Sequence, residues 1–218
     1  MTQTESTKQS GFTLVELTLA IAFVGFLVLF TVIATLQVMR TYNKGLAVKE
    51  IDQTARTIVE ELARGARSST FTSIITTPND ATPTQSRICM GGVSYVWNIA
   101  GGNVNKFSGA GTPAVTFVRV NDSGGSLCSN TSGSYPNVNP ANAAQLLSNR
   151  VWVQSLKLTK NNTTGLATIS LQLSTVEDPG SPQLQAVAGG GVRCKGTAGD
   201  EFCAVATLTT TVAMRGDE

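Results

Sequence analysis

The chain has 218 residues, with 16 Lys and Arg against 14 Asp and Glu, four cysteines and no histidine. Without an imidazole there is no Ser-His-Asp triad, no Cys-His pair and no His-ligated metal, and a net charge of +2 supports neither a dedicated nucleic-acid binder nor a disordered polyelectrolyte. Charged residues are 14%, below the roughly one quarter usual for soluble domains, and the length fits one compact domain plus an appendage.

The appendage is N-terminal. Residues 1–11 are polar, with Glu5 and Lys8 as their charges. No charged residue then occurs from Leu17 to Met39, and the proline-free run Leu17 to Leu36 is long enough, at roughly 30 Å as a helix, to cross the apolar core of a bilayer. The flanks are not those of an ordinary secretory signal: the leader is not basic, and no small-residue cleavage site follows the run. Instead, Gly11-Phe12-Thr13-Leu14-Val15-Glu16 precedes it. Glu16 is a lone carboxylate at the lip of the apolar segment, costly in lipid unless it meets a positive charge.

A Gly-Phe-Thr-Leu-Val-Glu motif set against about twenty apolar residues resembles the class III signal of type IV prepilins and pseudopilins. The resemblance implies a membrane peptidase that cuts between Gly11 and Phe12 and methylates the new amine of Phe12. Glu16 becomes the fifth residue of the processed chain. By the same resemblance its carboxylate pairs with the N-terminal amine of a neighbouring subunit and sets assembly register, since an unpaired buried carboxylate costs several kcal/mol. Many pilins carry a helix-kinking proline deeper in this segment; here the matching position is Ile33, which puts local melting on assembly in doubt. Charge counting points the other way on topology: Arg40, Lys44 and Lys49 follow the run, against Lys8 before it. A long C-terminal domain can cross regardless of such charges, and the cysteines favour an oxidising exterior.

The helix is expected to continue beyond the bilayer. Ile51, Ala55, Ile58, Val59 and Leu62 recur every three to four residues, with Lys49, Glu50, Asp52, Arg56, Glu60, Glu61 and Arg64 between them, an amphipathic pattern with one buried stripe. A helix from Phe12 to about Ser68 would run roughly 85 Å, with Gly45 a point of loosening, and Gly65 to Ser69 its end. Gly25 suits either close helix contact or simple tolerance.

From Ser69 the composition shifts. Residues 69–86 read as a Thr/Ser/Pro/Asn loop. Val93 to Ala100 and Ala114 to Val120 read as strands, and Ala141 to Ser148 as a short helix. The clearest signal is a hairpin, Arg150–Lys160 and Leu166–Thr175, turning at Asn161-Asn162-Thr163-Thr164-Gly165. Strict alternation puts Trp152, Leu156 and Leu158 on one face and Val151 and Val153 on the other. A last strand, Ala204 to Met214, places Ala206, Leu208, Val212 and Met214 opposite its threonines. A sheet with one apolar face needs a cover, and the Ile51–Leu62 stripe supplies one. The expected fold is α+β: a leader (1–11), a membrane or filament-core helix (12–39), its amphipathic second half (40–68), and a β-rich head (69–218). This agrees with the pilin fold that the N-terminus implies. The Trp-bearing strand, the hairpin and the Thr-rich final strand look similar to minor pilins and to larger J-type pseudopilins.

The cysteines are Cys89, Cys128, Cys194 and Cys203, all beyond the apolar run. No C-x-x-C pair exists, so a zinc ribbon or thioredoxin-like site is not indicated. An even number in a translocated domain favours two disulfides. Three connectivities are open, with Cys89–Cys128 and Cys194–Cys203 favoured as local closures. Gly189-Gly190-Gly191 lacks the strand-loop-helix context of a phosphate cradle. The triplets beginning at Asn121, Asn130, Asn161 and Asn162 match glycosylation acceptors by chance in so Ser/Thr/Asn-rich a chain. The acidic pairs Glu177-Asp178 and Asp200-Glu201 lack a spaced calcium loop.

The sequence therefore predicts a type IV pilin-like subunit that catalyses nothing, with no metal and no cofactor. Its expected partners are other pilin subunits, the prepilin peptidase, a pilus or secretion assembly platform, and the inner membrane before assembly. A minor pilin ending in an extracellular pilus is the preferred reading; a periplasmic secretion pseudopilin is the alternative. DNA uptake or adhesion to a host surface is a further alternative. The head carries nine Lys/Arg against eight Asp/Glu, so no basic field supports DNA binding.

Overall fold

The computed structural model describes residues 13–70, 72–76, 85–98, 117–129, 142–148, 150–176, 180–187, 191–196 and 202–215. It is α+β: one long N-terminal helix and a C-terminal region of antiparallel sheets. Two compact units divide between Tyr42 and Asn43, within helix α1 (Leu14–Ser68).

In the first unit every described residue lies on α1 or caps it, and every one is exposed. The helix passes through Gly25 without a break. Its threonines turn their hydroxyls back on the helix: Thr18 donates to Val15 O at 2.9 Å, Thr31 to Val28 O at 2.8 Å and Thr35 to Thr31 O at 2.8 Å. These polar groups are satisfied internally, as an apolar surrounding requires.

In the second unit α1 continues through Gly45 and buries the expected stripe: Ile51, Ala55 and Leu62 are fully inaccessible, and Ile58, Val59, Ala63 and Ala66 are buried beside them. Each large member contributes about 1.5–3 kcal/mol by leaving water. The helix ends where Ser68 and Ser69 both direct their hydroxyls to Gly65 O, at 2.9 and 2.8 Å. Gly65 is a packing glycine: a Cβ there would lie 3.2 Å from Met90 Cε and 3.5 Å from Tyr95 Oη.

Among the described residues ten strands form three antiparallel sheets. The first is a meander, β1 (Ile75–Thr76), β2 (Gln85–Met90), β3 (Val93–Asn98), β4 (Phe117–Asn121) and β5 (Ala143–Gln145). The second has β7 (Leu166–Ser174) between β6 (Trp152–Asn161) and β10 (Val205–Ala213). The third pairs β8 (Leu184–Ala186) with β9 (Val192–Cys194). The main core joins the α1 stripe to Ile88, Met90, Tyr95, Trp97 and Phe117 of the first sheet and to Ile169, Leu171 and Leu173 of the second.

Four expectations are corrected. Residues 143–145 form strand β5 rather than part of a helix, because pairing with β4 (Val118 opposite Gln145, Val120 opposite Ala143) outweighs local propensity. Residues 69–86 are not wholly loop: they hold β1 and the start of β2. The first sheet is buried on both faces. Alternate residues Cys89, Val96, Val118 and Val120 form a second small core with Leu127 and Cys128 of helix α2 (Ser126–Ser129).

The fourth concerns β6, whose alternation breaks at a bulge. Val153 faces Leu173 but Ser155 faces Gln172, so Gln154 is the extra residue. Val151 and Val153 before the bulge, and Leu158 after it, are therefore all buried in one core, which Leu156 packs against, while Trp152 is only half-buried. The hairpin after β6 is as expected. Asn161 Oδ1 accepts from Thr163 N at 3.0 Å and Thr164 N at 3.2 Å, and Gly165 takes the left-handed φ of 66°. On β10, Ala206 and Val212 are buried and Thr207, Thr209 and Thr211 exposed, the alternation its sequence predicts.

Candidate functional site

Gly11 and Phe12, the residues of the expected cleavage, lie outside the described residues. The described residues begin one position later, at Thr13, which caps α1: its hydroxyl oxygen accepts from Glu16 N at 3.3 Å, and its carbonyl accepts from Leu17 N at 3.2 Å. Thr13-Leu14-Val15-Glu16 has the spacing of a capping box, and Glu16 places a negative charge in the first turn, where the helix dipole favours it. Glu16 thus has a local role that the sequence reading missed, although Thr-x-x-Glu was legible. The carboxylate stands exposed among exposed apolar side chains: Leu14, Val15, Leu17 and Leu19 each show more than half their surface. From there to Met39 the helix is long and apolar enough to cross a membrane, and nothing in the described chain covers it.

The head joins helix to sheet through a polar cluster. Glu61 on α1 accepts a hydrogen bond from Tyr95 Oη at 3.2 Å. Arg119 Nε on β4 lies 3.3 Å from the same Glu61 oxygen, close enough for an ion pair but not aligned as a hydrogen bond. Arg64 reaches the other Glu61 oxygen at 3.5 Å. Burial of the phenol, then the negative charge and hydrogen bond of Glu61, push the Tyr95 pKa up to about 12. The ring also stacks on Phe117 at 6.2 Å, and Trp97 meets Phe117 edge-on at 5.9 Å. A neutral phenol at 2% exposure, bonded to Glu61, fastens the first sheet to α1.

The second unit also has an open cleft of about 590 Å³, lined by Leu46, Ala47 and Glu50 of α1, Arg150 and Trp152 at the start of β6, and Phe202. Phe202 is 63% exposed yet held: Thr175 donates to its carbonyl at 2.6 Å, and Ala204 N donates to Thr175 Oγ1 at 2.9 Å.

No family model, curated protein or solved structure matches this chain.

The cysteines are joined as Cys89–Cys128 and Cys194–Cys203, with Cα atoms 6.2 and 5.9 Å apart. The first bridge ties β2 to α2 across the small core. Beside it Ser94 donates to Asp122 Oδ2 at 2.8 Å, and the same oxygen accepts from Leu127 N at 2.9 Å, so the buried Asp122 builds the turn before α2. The second bridge ties β9 to Cys203, one residue after Phe202 and two before β10. Among the described residues no cluster of three or more cysteines or carboxylates is placed to hold a metal ion. Gly189, Gly190 and both acidic pairs, Glu177-Asp178 and Asp200-Glu201, lie outside the described residues, as does Asn130.

Nothing in the sequence pointed to the Glu61–Tyr95–Arg119 cluster or to the cleft. Their members are far apart in the chain and meet only when the first sheet lies on α1 and the start of β6 is brought beside it.

Proposed function

We propose that this chain is a type IV pilin-like filament subunit, in the manner of a minor pilin. A prepilin peptidase removes residues 1–11 and methylates Phe12. The subunit waits in the inner membrane as a single-pass protein with its head outside, then passes into a surface filament. The observation that carries the reading is the motif Gly11-Phe12-Thr13-Leu14-Val15-Glu16 opening directly onto an uncovered apolar helix that continues into an α+β head. Such a helix is stable where lipid or neighbouring helices cover it, and the two settings correspond to storage and assembly. In the filament, Glu16 pairs with the amine of Phe12 on a neighbour. A register that left the carboxylate unpaired would be penalised by several kcal/mol. The head performs no chemistry; its disulfides and helix-to-sheet fastening suit a rigid displayed surface.

The test is the N-terminus of the protein taken from membranes and from sheared surface filaments. The expected species starts at N-methylated Phe12 and is present in the sheared fraction. Residues 1–11 retained in a cell with an active prepilin peptidase would remove the processing step. Absence from the sheared fraction, with exported enzymes lost on deletion, would assign the subunit to a secretion machine instead.

A further inference from the structure

The cleft on the second unit is set apart by the way its aromatic lip is built. Phe202 is 63% exposed, but its backbone is held by Thr175, and its neighbour Cys203 is locked to Cys194. An exposed aromatic ring on a pinned backbone has already lost much of the freedom that binding would remove, as in a preformed contact. The same cleft is lined by Trp152, half-buried, and Leu46, 48% exposed. Arg150 is exposed within the same cleft.

The position of the cleft in the chain restricts what can reach it. Its first helical residue is Asn43, and the uncharged run ends at Met39. Four residues of chain, even fully extended, span only about 14 Å. Whenever the apolar run lies in a bilayer, this end of the cleft is held beside the headgroup layer. The charges of the chain around it are mixed: Arg40, Lys44 and Lys49 with Glu50 and Asp52 on α1, Arg150 in the cleft lining, and Glu177-Asp178 and Asp200-Glu201 beside Thr175 and Phe202 in the sequence. Trp152, an apolar ring with a polar N–H edge, beside Arg150 is a pairing suited to a membrane interface, and Phe202 adds apolar surface to it.

We propose that the cleft is a lipid-facing surface: in the membrane-stored subunit, phospholipid headgroups occupy it, with Trp152 and Phe202 against the lipid and Arg150 on a phosphate. The interaction holds the base of the head to the bilayer until extraction. It rests on the membrane-stored stage proposed above.

The full chain is reconstituted in phosphatidylcholine–phosphatidylglycerol vesicles carrying a nitroxide on the phosphatidylcholine headgroup, and tryptophan emission is read. The two tryptophans serve as signal and reference, since Trp97 is only 2% exposed. Quenching of the Trp152 component by roughly twofold is expected, lost in Trp152→Phe and weakened in Arg150→Glu. Emission unchanged by the nitroxide, in chain that resists alkaline carbonate extraction, overturns the inference and leaves the membrane span standing. Shielding of Trp152 that disappears when the vesicles are diluted with plain lipid assigns the cleft to a second copy and also overturns it. Release of the chain by carbonate overturns both the inference and the membrane-stored stage.

Discussion

The hydroxyl of Tyr95 donates to the carboxylate of Glu61 at 3.2 Å, across the interface between α1 and the first sheet. The phenol is buried and its pKa stands at about 12 against an ordinary value of 10.0. In the unfolded chain the phenol ionises first, so between these values the unfolded state binds fewer protons than the native one, and stability falls as pH rises. Wild-type protein is expected to lose about 3 kcal/mol through this window and to be unaffected by the group below it. Tyr95→Phe is expected to cost about 1–2 kcal/mol at neutral pH and to abolish that part of the alkaline loss. Urea midpoints at neutral pH and across the alkaline range check both; an unchanged alkaline slope in the variant would refute the assignment.

Gln172 acts on the outer face of β7 as a substitute strand. Its amide nitrogen donates to Val192 O at 3.1 Å and its oxygen accepts from Val192 N at 2.9 Å, holding the β8–β9 hairpin to the second sheet. Gly191 allows the approach: its φ is +99°, and a Cβ would lie 2.8 Å from Gln172 Oε1. Gly191→Ala is expected to destabilise by about 2 kcal/mol or more, from backbone strain and collision together. Gln172→Ala costs about 1–3 kcal/mol by leaving the Val192 groups without this partner. The double variant is expected to lose less than the sum, since the collision is gone, and a double-mutant cycle of denaturation midpoints measures the difference.

The two disulfides close loops of different length, with sequence separations of 39 and 9. Loop-closure entropy gives about 4 kcal/mol for Cys89–Cys128 and about 2.5 kcal/mol for Cys194–Cys203. Paired Cys→Ser variants are expected to lower stability in that order. Removing the second bridge is also expected to loosen Phe202, read as faster amide exchange at residues 202–204. Equal losses in both variants would favour native-state contacts over chain entropy as the source.

Glu16 has two candidate roles, helix cap and assembly charge, and the substitutions separate them. Thr13→Ala removes the cap at a cost of about 1 kcal/mol in helix stability and leaves the charge. Glu16→Gln keeps a capping-box side chain and removes the charge. If Glu16 pairs with a neighbour's amine, Glu16→Gln loses filament incorporation while Thr13→Ala retains most of it, as read from the protein in sheared filaments. The opposite pattern would make Glu16 a cap only. Gly11→Ala keeps Thr13 and Glu16 but leaves the Phe12 nitrogen in a peptide bond; it is expected to retain residues 1–11, detected by intact mass, and to lose filament incorporation as Glu16→Gln does.

Local patterns settled much of this molecule. The uncharged, largely apolar run Leu17 to Leu36, the three-to-four spacing of Ile51 to Leu62, and the alternation of Leu166 to Ser174 are each a local pattern, and each is realised in the structure. Gly11, Phe12 and Glu16, the residues proposed for processing and assembly, stand together in a short sequence motif and so needed no fold to be noticed. Elsewhere tertiary structure decided. Gln154 bulges and reverses the inward face of β6, so Trp152 parts from Leu156 and Leu158, a change no alternation count contains. Residues 143–145 become a strand because β4 offers an unpaired edge. The Glu61–Tyr95–Arg119 fastening, the Gln172 clasp and the cleft at Trp152 and Phe202 join residues tens of positions apart. Their geometry follows from how sheets seat on a helix and from loop closure, and the free energy of those contacts exists only once the chain has closed on itself.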